Sequence, residues 1–77
     1  MYFVYVLHNE KNSELYYDYT NNLERRLHEH NLSGQYELIY YEAYKNELDA
    51  RERERKLKHY GQSREHLKKR IKRSLIR

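Results

Sequence analysis

The chain has 77 residues, 38% hydrophobic and 36% charged, with no cysteine and a formal net charge of +4. That length supports one modest core, and the missing thiols exclude a disulfide framework and a thiolate zinc site. The apolar opening "MYFVYVL" is too short to cross a bilayer, so one domain over residues 1–77 in a reducing cytoplasm is expected.

The charge is uneven. Residues 1–50 carry four Lys/Arg against nine Asp/Glu, a net of −5, and residues 51–77 carry twelve against three, a net of +9. A basic C-terminal part points to a polyanionic partner, most often nucleic acid, with a solvated helix face as the plain alternative.

The elements can be taken in chain order. "YFVYVLH" (2–8) is rich in aromatic and β-branched residues and predicts a strand. The polar stretch "NEKNSE" (9–14) turns the chain into a second strand, "LYYDYT" (15–20), so residues 2–20 predict an antiparallel hairpin. Asn21, with Glu24 three positions on, reads as a capping box opening a helix that ends near Asn31. "LSGQ" turns the chain and "YELIYYEAY" (36–44) is a third strand. Asn46 starts a helix reaching about His59, Gly61 breaks it, and Ser63 caps a last helix. In that helix Leu67, Ile71 and Leu75 recur at i, i+4, i+8, a buried stripe on a basic rod. The order is ββαβαα. This is an α/β chain of the α+β type, a three-stranded antiparallel sheet flanked by helices.

Spacing singles out a few side chains. Tyr16 and Asp18 are two apart on a strand and share a face. Arg26 and His30 are one helical turn apart beside Leu23 and Leu27. Ala50, Glu54 and Leu57 follow i, i+4, i+7, so Glu54 falls on an inward stripe. A carboxylate there costs on the order of several kcal/mol unless it is paired or binds metal. An ion pair with Arg26, exposure at a loose edge and a metal site all meet that demand. Lys68, Lys69, Lys72 and Arg73 lie on polar faces around the last stripe and are the candidate nucleic-acid contacts.

Together these stretches resemble the GIY-YIG nuclease domain, in its small single-domain bacterial branch. "FVY" (3–5) stands for the first motif and ends in Tyr5, and "YYD" (16–18) stands for the second and begins with Tyr16. "RLHEH" supplies Arg26 and His30, and "ARERERKLK" (50–58) supplies Glu54. "LIYYEAYKNELDA" and "GQSREHLKKRIKRSLI" are also similar to that branch, so the resemblance covers nearly the whole chain.

The resemblance implies a metal-dependent endonuclease that hydrolyses DNA phosphodiester bonds, branched or nicked DNA included. It implies Glu54 as ligand to one divalent cation, magnesium or another such as manganese. Tyr5 would help deprotonate the attacking water, and Tyr16 would orient that water or a phosphate oxygen. Arg26 would bind the charge developing on the phosphate, and His30 would assist proton transfer or brace the site. The second motif normally ends in glycine, and here Asp18 stands in that place. A carboxylate there is expected to repel the phosphate and impair cleavage. A non-cleaving DNA-binding module that keeps the fold is the alternative.

Overall fold

The computed structural model describes residues 1–31 and 34–76. Strands β1 (Tyr2–Asn9), β2 (Leu15–Thr20) and β3 (Tyr36–Tyr44) form an antiparallel sheet in the order β2-β1-β3. Helix α1 (Leu23–Asn31) joins β2 to β3, and α2 (Glu47–His59), α3 (Gly61–Arg70) and the short α4 (Lys72–Leu75) follow. The expected order ββαβαα holds, with the last helix broken at Ile71. Among the described residues no helix is long and apolar enough to cross a membrane.

β1 is the middle strand, and Val4, Tyr5, Val6 and Leu7 are all buried. A strand covered on both faces reads as a continuous apolar run rather than an alternation, which is why "FVYVL" carries no polar residue. Alternation still separates its side chains. Val4 and Val6 pack with Ala50, Leu57 and Leu67 from α2 and α3. Tyr5 and Leu7 face the other way, where the Tyr5 hydroxyl meets α1. Against β3 the register slips between Val6 and Leu7, which pair with Tyr40 and Leu38. Ile39 is the extra residue of this bulge and packs against the helix-side core.

The helix starts differ from expectation in two places. The cap of α1 is Asn22, whose Oδ1 accepts the Arg25 amide at 3.0 Å. Asn21 lies one residue too early, so the capping-box position falls on Arg25 and not on Glu24. Thr20 takes the place of a cap partner, its hydroxyl accepting the Asn22 amide at 3.1 Å. Gly61 does not merely break α2; it opens α3, and Tyr60 ends one helix and starts the next in an extended conformation. Arg64 makes this abrupt junction possible, because its Nη1 donates to the carbonyls of Leu57 and Lys58 at 2.8 and 3.1 Å. Those carbonyls at a helix end have no partner of their own. Ser63 therefore lies inside α3 and is not its cap. Asn46 does cap α2, accepting the Leu48 amide at 2.8 Å. Of the expected stripe, Leu67 is buried, while Ile71 and Leu75 are half-buried. Of the expected turn "LSGQ", Leu32 and Ser33 lie outside the described residues; Gly34 has φ +71°, a value that suits a residue without Cβ.

A charge is buried on the helix side of β3. Glu42 accepts Arg53 Nε at 3.0 Å, Arg53 Nη2 at 3.1 Å and the Tyr40 hydroxyl at 2.8 Å, and it also accepts the Tyr44 hydroxyl. Burial works against its ionisation, but the Arg53 guanidinium and the two phenols outweigh it and hold the carboxyl below its ordinary 4.5. The unfolded chain therefore takes up this proton first as pH falls. The stabilisation is fully present above the ordinary value and is lost as pH drops through the depressed folded one. Glu42→Gln should cost about 2–4 kcal/mol at neutral pH, less than for a dry pair because Arg53 stays partly exposed. It should also flatten the acid limb of the stability profile. Urea unfolding of both proteins from pH 7 to pH 3 measures both effects.

Candidate active site

Tyr5 is the centre of the α1 side of the sheet. Its residue is wholly buried, yet its hydroxyl accepts Arg26 Nε at 3.1 Å and lies 3.4 Å from His30 Nε2. Arg26 and His30 reach the same oxygen because they stand one turn apart on α1. Desolvation pushes the Tyr5 phenol above its usual range, against the lowering pull of Arg26. Arg26 is held charged by the Tyr5 hydroxyl first and by Asp18 as well.

The neighbouring strand brings the next residues. Asp18 is the register partner of Tyr5, and Tyr16 is that of Leu7. The Tyr16 hydroxyl donates to Asp18 Oδ2 at 3.2 Å, and Arg26 Nη2 donates to the same oxygen at 3.3 Å. The His30 ring stands edge-on to Tyr5, Tyr16 and Tyr36, with centroids 6.2, 5.7 and 5.4 Å away. Three tyrosine rings thus hold the imidazole against the sheet.

α2 completes the group from the open side of β2, the edge strand. Lys58 Nζ lies 3.5 Å from Asp18 Oδ1 and 3.4 Å from Glu54 Oε2. Lys58 therefore bridges the two carboxylates. Burial raises the Asp18 pKa, but the Tyr19 amide, Lys58 and Arg26 together bring it below the usual carboxylate range. Lys58 is desolvated too, and the two acids still raise its pKa above the ordinary lysine value.

All five expected site residues, Tyr5, Tyr16, Arg26, His30 and Glu54, thus belong to one connected network. Two features differ from expectation. Arg26 pairs with Asp18, not with Glu54, because α1 delivers it over Tyr5 while Glu54 approaches from across the β2 edge. Asp18 is not an isolated charge: two cations stand beside it. Lys58 and Tyr36 join the network beyond the five residues the motifs supply. The signal for Lys58 was available, since it lies one helical turn beyond Glu54. Tyr36 has no such local signal. The candidate nucleic-acid contacts lie on other elements: Lys68 and Lys69 on α3, Lys72 and Arg73 on α4.

Two carboxylates meeting at one ammonium form an oxygen donor set that suits a hard divalent cation. Among the described residues no group of three or more His, Cys, Asp or Glu is placed to hold a metal ion.

The family model of the GIY-YIG catalytic domain matches residues 1–70. The chain belongs to the GIY-YIG family. No curated protein and no solved structure matches it. Within this GIY-YIG chain the network above is built around Asp18.

Proposed function

We propose that this GIY-YIG chain is a metal-dependent endonuclease that hydrolyses DNA phosphodiester bonds. The observation that carries the reading is the convergence of Tyr5, Tyr16, Arg26, His30 and Glu54 from two strands and two helices around the β2 edge. Branched or nicked DNA as substrate and a cytoplasmic location belong to the same proposal; the absence of cysteine is compatible with the latter.

The contacts support each role. Glu54 would hold the divalent cation, magnesium or manganese, with Asp18 as a second carboxylate across Lys58. When bound, the cation polarises the scissile phosphate and stabilises the leaving oxygen. The Tyr5 phenol keeps its proton at neutral pH, as an ordinary phenol does, and burial raises its pKa further. It can take a proton from the attacking water only by passing its own on, and His30 Nε2 at 3.4 Å is the acceptor within reach. Arg26 stabilises negative charge as it develops, both on the Tyr5 oxygen and on the phosphate. Tyr16 donates to a phosphate oxygen.

Asp18 holds these donors before substrate arrives. Its carboxylate accepts from Tyr16 and Arg26 and pairs with Lys58, the same donors that a phosphate would take. It therefore stands in for the phosphate and competes with it. This competition favours the second reading, a DNA-binding module that keeps the fold without cleaving.

Nicking of supercoiled and branched DNA, with magnesium or with chelator, separates the two. Metal-dependent nicks support the nuclease; salt-sensitive binding without nicks supports the binding module. Glu54→Ala should abolish nicking and leave thermal unfolding nearly unchanged. Full activity in that variant would move the metal to another residue.

Asp18→Gly, which restores the motif glycine, should raise the nicking rate by roughly ten- to a hundredfold. A unit charge about 5 Å from the phosphate at an effective dielectric of about 20 is worth on the order of 3 kcal/mol, and Arg26 and Lys58 screen part of it. A fall in rate together with a higher magnesium requirement would instead make Asp18 a metal ligand. A nicking time course across a magnesium series decides.

A further inference from the structure

Among the described residues, only two buried side-chain polar atoms have no hydrogen-bond partner: His8 Nδ1 and the Tyr17 hydroxyl. An unsatisfied buried polar atom costs about 1–3 kcal/mol, so each calls for a reason. Both residues line the same cavity. It lies between the β1–β2 hairpin and α3, has a volume of about 690 Å³, and is also lined by Ser13, Glu14, Arg64 and Lys68. His8 is only 7% exposed.

Both orphaned atoms can act as donors. His8 donates from Nδ1 in one neutral tautomer and when protonated. The Tyr17 phenol is pushed up by burial and keeps its proton. Arg64 and Lys68 add two positive charges against the single carboxylate of Glu14. Arg64 is fixed in place by the α2 carbonyls its Nη1 already serves, and the exposed Glu65 takes only part of the Lys68 charge at 3.7 Å. Both atoms are covered in this conformation, and a small shift of the two side chains toward the space they border would present two donors beside two cations, a site for an anion with several oxygens. A buried water would satisfy the donors but leaves the two cations unexplained.

A second cavity joins this one to the Tyr5 centre. It has a volume of about 480 Å³ and shares Leu15, Tyr17 and Arg64 with the first, and Tyr16 and Lys58 with the active-site network. Lys58, Arg64 and Lys68 thus succeed one another along the β2 edge. We propose that the hairpin cavity binds a phosphate group of a nucleic-acid strand, and that the groove along β2 carries that strand on from the Tyr5–Glu54 centre. The strand path rests on the nuclease reading above; the phosphate site does not.

The test uses the whole chain in chelator, so that no cleavage intervenes. Inorganic phosphate is titrated while the ring resonances of His8 and Tyr17 are followed by NMR. Both should shift and saturate together. Tyr17→Phe with Lys68→Gln, a pair that keeps the packed ring, should weaken phosphate binding about tenfold or more, the factor that corresponds to about 1.4 kcal/mol. A short single-stranded oligonucleotide without terminal phosphates should displace the phosphate. Resonances that stay put, or an affinity unchanged in the double variant, would overturn the site and leave a water-filled cavity. Displacement only by an oligonucleotide bearing a terminal phosphate would overturn the strand path. Nicking with magnesium is scored separately. A chain that nicks but binds no phosphate here loses this inference alone, and one that binds phosphate but never nicks loses the nuclease alone.

Discussion

Strand β1 is covered on both faces, and the placement of almost everything else follows from that constraint. A strand has only two faces, and its side chains must alternate between them. Val4 and Val6 are committed to the helices α2 and α3, which leaves Tyr5 and Leu7 for the side of α1. A tyrosine driven into full burial brings a hydroxyl that needs partners. Arg26 and His30 supply them from α1. The same packing that holds the sheet together thus draws a cation and an imidazole to one phenol.

The second organising feature is charge compensation across the β2 edge. Asp18 and Glu54 are two acids that share one ammonium, an arrangement that would be unfavourable without cations nearby. Lys58 stands between them and Arg26 adds a second positive charge. The four formal charges cancel, so the centre is close to neutral before any ligand arrives. An incoming phosphate or divalent cation must exchange with one of these internal partners. The affinity of the centre for each is therefore set by a competition within the chain and not only by the donors present.

β2 matters because it is an edge strand. An open edge is a liability in most sheets, and here its two sides are used differently. At Asp18, midway along the strand, α2 reaches past it with Lys58 and Glu54. Beside the hairpin loop, α3 leaves a cavity that collects Arg64, Lys68 and the two unsatisfied donors of His8 and Tyr17. Tyr16 and Tyr17, adjacent in sequence, face opposite sides of the strand and line successive parts of one groove.

Local regularities made much of this legible without coordinates. The apolar run of β1, the aromatic character of β2 and β3 and the caps and spacings of the helices each depend on residues a few positions apart. They were enough for the order of elements, and the motif-bearing stretches were enough for the family; Tyr5, Tyr16, Arg26, His30 and Glu54, singled out from them, meet in one network. The helix junction was less legible, because the side chain that makes it possible, Arg64, acts on carbonyls six and seven residues away. Partner choice was not legible at all. Whether Arg26 meets Glu54 or Asp18 depends on the angle at which α1 and α2 approach the sheet from opposite faces. The pairing of His8 and Tyr17 around one cavity depends on how closely α3 packs against the hairpin. Periodicity determines which face a side chain takes; the crossing of elements distant in sequence determines what it finds there.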